Sequence, residues 1–253
     1  MRADQLLVER GLAASRSQAQ RLIASGVEWR LGELPWKAVV KNGEELREIV
    51  DLRLLDTAES RYVSRGGLKL EGALKHTGIG VSGLRCLDIG QSSGGFTDCL
   101  LHCGAGEVVG VDVGQGQLHP LLRADARVTC IEKCNARELR PDALPLASDG
   151  SQGFDLVVGD LSFISQTLVW PALVPLLRDG ADLLMLVKPQ FELQPEHIGK
   201  GGLVKDAASY NLVRQRIGQA CEVNGLILRD YFESAITGGD GNREFFVWAR
   251  RKA

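Results

Sequence analysis

The 253 residues contain no stretch of about 18 uncharged apolar residues, so the sequence offers no transmembrane helix. The opening Met1-Arg2-Ala3-Asp4-Gln5-Leu6 lacks the apolar core and cleavage site of a secretory signal, and the expectation is a cytoplasmic protein. Cys-x-x-Cys is missing as well. The six cysteines include Cys99/Cys103 and Cys130/Cys134, pairs four apart that suit reduced thiols better than a zinc site, so no metal is expected. Net charge is nearly absent at −2, which excludes a uniformly basic nucleic-acid binder but not one that uses a local patch. Repeats and low-complexity tracts are not found. Gly-x-Gly-x-x-Gly is also wanting, which weakens a dinucleotide reading.

What is present is an ordinary globular composition, 44% hydrophobic and 25% charged, in a chain long enough for two domains. From Asp4 to Ile23 the apolar residues Leu6, Leu7, Leu12, Ala13, Ala19, Leu22 and Ile23 fall at helical spacing. Gly11 suits the end of a first helix, Ser15 or Ser17 the cap of a second, and Gly26 its close. Residues 1–30 carry a net charge of +2 and residues 61–77 one of +3, so positive charge gathers locally. Arg10, Arg16, Arg21 and Arg65 are the candidate RNA contacts; a solvated helix face would look the same. The run Leu6-Leu7-Val8-Glu9-Arg10-Gly11-Leu12-Ala13, continuing through Ser15-Arg16-Ser17, Arg21-Leu22-Ile23 and Gly26-Val27, resembles the RNA-binding domain first seen in ribosomal protein S-four. That resemblance implies a small α+β RNA-binding domain over 1–55, with 56–61 as linker and a second domain over 62–253.

From residue 83 onward strands and helices alternate. Strands are expected at Arg85–Ile89, Val108–Val113, Val128–Ile131, Phe154–Val158, Leu183–Val187, Leu226–Phe232 and Glu244–Ala249. Helices are expected at Gly67–His76, Phe96–Cys103, Phe163–Leu177 and Ala207–Val223. The alternation predicts an α/β fold, a mostly parallel seven-stranded Rossmann-like sheet covered on both faces. Its first strand runs into Asp88-Ile89-Gly90-Gln91-Ser92-Ser93-Gly94-Gly95-Phe96, where glycines let the backbone turn and approach a ligand. Asp112 ends the next strand and suits a ribose diol; Asn135 follows the third and suits an adenine edge. S-adenosylmethionine carries no phosphate and tolerates the Ser92-Ser93 loop better than a dinucleotide does.

Four polar residues fall at element ends, where the crevice of such a sheet collects reacting groups: Lys69, Asp160, Lys188 and Glu244. Each taken alone could be a surface salt bridge or a cap. Together with their neighbours they resemble a family. The motifs are Tyr62-Val63-Ser64-Arg65-Gly66-Gly67-Leu68-Lys69-Leu70, Asp160-Leu161-Ser162-Phe163-Ile164-Ser165, Val187-Lys188-Pro189-Gln190-Phe191-Glu192 and Ile236-Thr237-Gly238. With the glycine turn and Val111-Asp112-Val113-Gly114, these are similar to the TlyA (hemolysin A-like) family, whose catalytic domain resembles the FtsJ-type 2′-O-ribose methyltransferases. Gln91 stands where that family has a small residue, which would crowd the cofactor.

The resemblance implies S-adenosylmethionine as cofactor and ribosomal RNA, at a cytidine, as substrate in free rRNA or ribosomal subunits. It implies a catalytic set of Lys69, Asp160, Lys188 and Glu244, and cofactor contacts at Gly90, Gly94, Gly95, Phe96, Asp112, Asn135 and Asp160. A ribose hydroxyl is a weak nucleophile that must be positioned and relieved of its proton. A free lysine titrates near ~10.4, and burial beside a second cation is the usual way to make it a base. Lys188, on its apolar strand, is the expected base, with Lys69 orienting, Asp160 holding Lys188 and Glu244 steering Lys69 or the ribose. The alternatives are a pore-forming hemolysin, a non-catalytic RNA-binding assembly factor, and a methylase of a base or small molecule.

Overall fold

The helical period of the first residues is realised as α1 (Ala3–Glu9) and α2 (Arg16–Gly26), which bury Ala3, Leu6, Leu7, Ala19, Leu22 and Ile23 against each other. Of the two candidate caps, Ser15 is the one used: its Oγ accepts the Gln18 N–H at 3.2 Å. Gly26, at φ +117°, turns the chain straight into β1 (Val27–Arg30), which pairs antiparallel with β2 (Lys37–Ala38) and β3 (Asp51–Leu54). Asp4, in the first turn of α1, is fully buried and bound by Arg2 through two bonds of 3.0 Å and by Arg16 at 3.1 Å. The Arg2 guanidinium, more than any other group, holds that carboxyl well below the usual range.

The structure is a computed structural model and describes residues 1–13, 15–55, 61–147, 150, 152–238 and 241–252. The chain divides into two compact units, Met1–Leu68 and Lys69–Ala253. Of the linker expected at 56–61, all but Arg61 lies outside the described residues.

The second unit follows α3 (Gly66–Thr77) with β4 (Arg85–Ile89), α4 (Gly95–His102), β5 (Glu107–Val111), α5 (Pro120–Arg123), β6 (Val128–Ile131) and β7 (Phe154–Gly159). It continues through α6 (Trp170–Leu173), β8 (Leu177–Val187), α7 (Pro189–Glu192), α8 (Ala208–Val223), β9 (Leu226–Glu233) and β10 (Phe245–Arg251). The seven strands order as β6-β5-β4-β7-β8-β10-β9, parallel from β6 to β8, with β10 antiparallel to both its neighbours. This is the expected Rossmann-like sheet. Leu87, Ile89, Val157, Leu183 and Met185 on its central strands are buried among Trp170 and Leu173 of α6 and Val213 and Ile217 of α8. Strands covered on both faces need apolar residues throughout, which is why β8 ends in an unbroken run.

One expected element is corrected. Residues 163–177 do not form one helix but a 3-10 turn at Gln166–Leu168, the short α6, and a second turn at Val174–Leu176. Pro171 and Pro175 sit in that stretch and remove the N–H groups a continuous helix would need. Strand β8 also starts earlier than its apolar run, at Leu177.

The chain moves outward from β4 to β5 and β6, then returns to β7 on the other side of β4. The gap beyond the carboxyl ends of β4 and β7 is therefore the switch point where ligands of such sheets bind. No helix among the described residues is long and apolar enough to cross a membrane.

Candidate active site

At that switch point Gly90 leaves β4 at φ +80°, and a Cβ there would sit 2.8 Å from the Asp160 carbonyl oxygen. Only glycine lets the two strand ends approach this closely. The turn is pinned from β5: Gly90 and Gln91 donate to the Val111 carbonyl at 2.9 and 3.2 Å. Asp112 completes it, accepting from Ser92 N at 2.8 Å and from Gly114 N at 2.6 Å. Each of its oxygens keeps a lone pair for a ligand.

Gly90, Asp112 and Asp160 line one cavity of about 340 Å³, together with Ser92, Gln117, Cys134, Ser162 and Phe163 among others. Gly94, Gly95, Phe96 and Asn135 are not among its lining residues. Gly94, at φ +95°, makes room for Leu118 and Leu122, whose methyls a Cβ would meet at 2.7 and 2.3 Å. Gly95 begins α4, and the buried Phe96 stacks on Phe246 with ring centroids 6.3 Å apart. Asn135 caps a 3-10 turn by accepting from Arg137 N at 3.1 Å; its neighbours Cys134 and Ala136 face the cavity instead.

Gln91 does not crowd the cavity. Its side chain is buried beneath the turn, donating to Thr97 Oγ1 at 2.9 Å, and Thr97 in turn donates to Asp88 Oδ2 at 2.7 Å. A Cβ on residue 110 of β5 would lie 2.0 Å from the Gln91 amide carbon, so Gly110 is what makes space for it. Burial pushes the Asp88 carboxyl up to about 7. A raised acid binds more protons folded than unfolded, so its contribution to stability falls as pH rises from about 4 to about 7. Asp88→Asn keeps an acceptor for Thr97. In urea unfolding it should therefore gain on the wild type by on the order of 1–3 kcal/mol more at pH 8 than at pH 5. An equal difference at both pH values would show that Asp88 is ionised at little cost.

The four candidate catalytic side chains converge. Lys188 Nζ lies 2.6 Å from Asp160 Oδ1 and donates to Ser162 Oγ at 2.8 Å. Lys69 Nζ lies 2.6 Å from Glu244 Oε2 and 3.9 Å from Asp160 Oδ2. Asp160 thus bridges the two amines. Glu244, at the foot of β10, is 3% exposed; burial pushes its carboxyl up, against the pull of Lys69. Four residues separated by up to 175 positions meet there: Lys69 in the first turn of α3, Asp160 just after β7, Lys188 just after β8, and Glu244 just before β10, which runs antiparallel to β8.

Two residues that sequence reasoning passed over belong to the same place. Ser162 holds Lys188, and Phe163 lines the cavity with its ring 90% exposed and its backbone at φ +64°. A bulky residue in the left-handed region costs on the order of 1–3 kcal/mol and marks a functional segment when it persists. Its ring lies 5.2 Å from that of Phe191.

The candidate RNA contacts belong to the first unit. Arg10 and Arg16 are exposed, although Arg10 donates to the Glu48 carbonyl and Arg16 to Asp4. Arg21, half-buried, donates to the Ser17 carbonyl at 3.2 Å, and Arg65 is likewise half-buried.

A parallel sheet with a glycine turn facing paired amines and carboxylates defines a methyltransferase of the Rossmann-like class. The chain belongs to the FtsJ-like methyltransferase family, which matches residues 62–251. It is 43% identical to the 16S/23S rRNA (cytidine-2′-O)-methyltransferase TlyA of Mycobacterium tuberculosis, over 98% of this chain and 89% of that one. To the 23S rRNA (cytidine-2′-O)-methyltransferase TlyA of Campylobacter jejuni it is 32% identical over 98% of both. A solved structure of a candidate hemolysin from Streptococcus thermophilus covers all of this chain and 88% of its own, with a TM-score of 0.76 at 36% identity.

Proposed function

We propose that this chain transfers a methyl group from S-adenosylmethionine to the 2′-hydroxyl of a cytidine ribose in ribosomal RNA. The observation that carries this reading is the meeting of Lys69, Asp160, Lys188 and Glu244 beside the cavity at the switch point. The relatives named for cytidine-2′-O methylation of rRNA support the choice of acceptor.

The cavity fits the cofactor on its own chemistry. Its charged lining residues are Asp112 and Asp160, with no Lys or Arg among those described, which suits a cationic, phosphate-free ligand and opposes a dinucleotide. Asp112 would take the ribose diol, the backbone of the Gly90 turn the amino-acid end, and the segment Cys134–Ala136 the adenine. When bound, S-adenosylmethionine supplies a methyl group already activated by its sulfonium.

The protein's own task is to place an oxygen and remove its proton. Lys188 is the base in this reading, because its amine bonds Asp160 and Ser162, both of which line the cavity. In this role Lys188 takes the 2′-hydroxyl proton, and Asp160, 2.6 Å away, holds the ammonium that results. Lys69, clamped by Glu244, keeps Asp160 turned toward the site from the other side. Phe163 offers an exposed aromatic face at the mouth on which the target base can stack, a contact worth ~1–3 kcal/mol. The first unit, with Arg10, Arg16 and Arg21, supplies salt-sensitive affinity for RNA, in keeping with a cytoplasmic ribosomal substrate.

The acceptor is tested with rRNA fragments carrying 2′-deoxy or 2′-methoxy at the target. Both should abolish methyl transfer, while a matching DNA should accept none. Full activity on the 2′-deoxy fragment would move the methyl to a base and defeat the reading.

A further inference from the structure

Behind the catalytic cluster lies a buried carboxylate that the mechanism above does not use. Glu192, the last residue of α7, is 4% exposed. Its Oε2 accepts from Ser165 Oγ at 2.5 Å, and its Oε1 accepts from Gln166 N at 2.9 Å. Arg216 of α8 closes the group, donating to the Glu192 carbonyl at 2.7 Å and to Ser165 Oγ at 3.4 Å. Burial pushes the Glu192 carboxyl up, and the bonds from Ser165 and Gln166 and the charge of Arg216 pull the other way. A purely packing role would be filled more cheaply by an apolar side chain.

The bonds join two particular segments. Ser165 and Gln166 belong to the stretch leaving β7, which carries Asp160, Ser162 and Phe163; Glu192 belongs to the stretch leaving β8, which begins with Lys188. Phe163, in its strained backbone, sits between Ser162 and the residues that Glu192 grips. Strain of that kind survives only where neighbouring bonds over-determine the chain, and the grip on Ser165 and Gln166 provides them. We propose that the Glu192–Ser165 pair is a positioning strut that fixes Lys188 against Asp160 and Ser162 and holds Phe163 over the cavity mouth. This rests on the methyltransferase reading given above. It assigns Glu192 and Ser165 to the alignment of the reacting groups and not to contact with them.

A misplacement of about 1 Å at a reacting group can cost roughly 10²-fold in rate, so a strut should act on turnover and leave the cofactor cavity alone. The test uses full-length Glu192→Gln, Ser165→Ala, Ser165→Thr and the Glu192→Gln/Ser165→Ala double variant. Ribosomal subunits and methyl-labelled S-adenosylmethionine are the substrates, and cofactor sites are titrated at equilibrium in each preparation. Absence of transfer by the wild-type chain would defeat the functional reading itself. Given wild-type transfer, the strut predicts that kcat per titrated site falls about 10- to 100-fold in Glu192→Gln and Ser165→Ala. Cofactor Kd should stay within about twofold, Ser165→Thr should recover most of the rate, and the double variant should be no slower than the worse single one. The inference is overturned if kcat per site stays within about twofold of wild type, or if lost activity only follows lost sites.

Discussion

Lys188→Ala should lower methyl transfer to ribosomal RNA by at least about 10²-fold while leaving the cofactor Kd within a few-fold of wild type. The reasoning runs from placement to chemistry. Lys188 follows the last residue of β8 and brings its amine 2.6 Å from Asp160 and 2.8 Å from Ser162, at the edge of the acid-lined cavity. Truncation removes the proposed base, but none of the groups that would hold the cofactor. Asp160 keeps Lys69 at 3.9 Å and is partly open to water, so the fold has little reason to fail. Kinetics and equilibrium binding on one preparation check this. Turnover within tenfold of wild type would take the role of base away from Lys188.

The second large effect separates stability from activity. Lys69 and Glu244 form a pair whose side chains are 9% and 3% exposed. Glu244→Ala takes away the nearer partner of Lys69 and leaves Asp160 at 3.9 Å, and breaking one half of a buried pair costs about 3–5 kcal/mol. For a unit of this size that corresponds to a fall in Tm of roughly 6–20 °C. Replacing both together, as Lys69→Met with Glu244→Leu, removes the Lys69 charge as well and should return the Tm to within a few degrees of wild type. Activity should not return, because Asp160 would lose the second amine that orients it. A double variant that regained methyl transfer would show the pair to be structural.

Much of this was legible in the chain because the signals are local. The turn from Asp88 to Phe96, Asp112 just after β5 and the four candidate catalytic residues at element ends are each announced by a few neighbouring residues. What escaped is non-local or competes with a stronger pattern. The apolar spacing of 163–177 imitates a helix, and two prolines outweigh it. Whether Gln91 blocks the cavity depends on Gly110 of another strand, which leaves the side chain a place beneath the turn. That the Asn135 amide oxygen caps a 3-10 turn depends on a contact with Arg137 that the motif does not announce. Phe163 lies within a quoted motif, yet its exposure and backbone conformation emerge only in three dimensions. Glu192 reads as one more surface acid until its partners 26 and 27 positions earlier come into contact with it.

On the pore-forming alternative the structure says one thing: no helix among the described residues is long and apolar enough to cross a membrane. A non-catalytic assembly factor would have no use for two ion pairs, Lys188–Asp160 and Lys69–Glu244, gathered beside the cavity at the switch point. The decisive measurement is to incubate ribosomal subunits with the purified chain and methyl-labelled S-adenosylmethionine, digest the RNA, and locate the label. The account predicts label on the 2′-oxygen of cytidine ribose. Label on a base, or none above background, would contradict it.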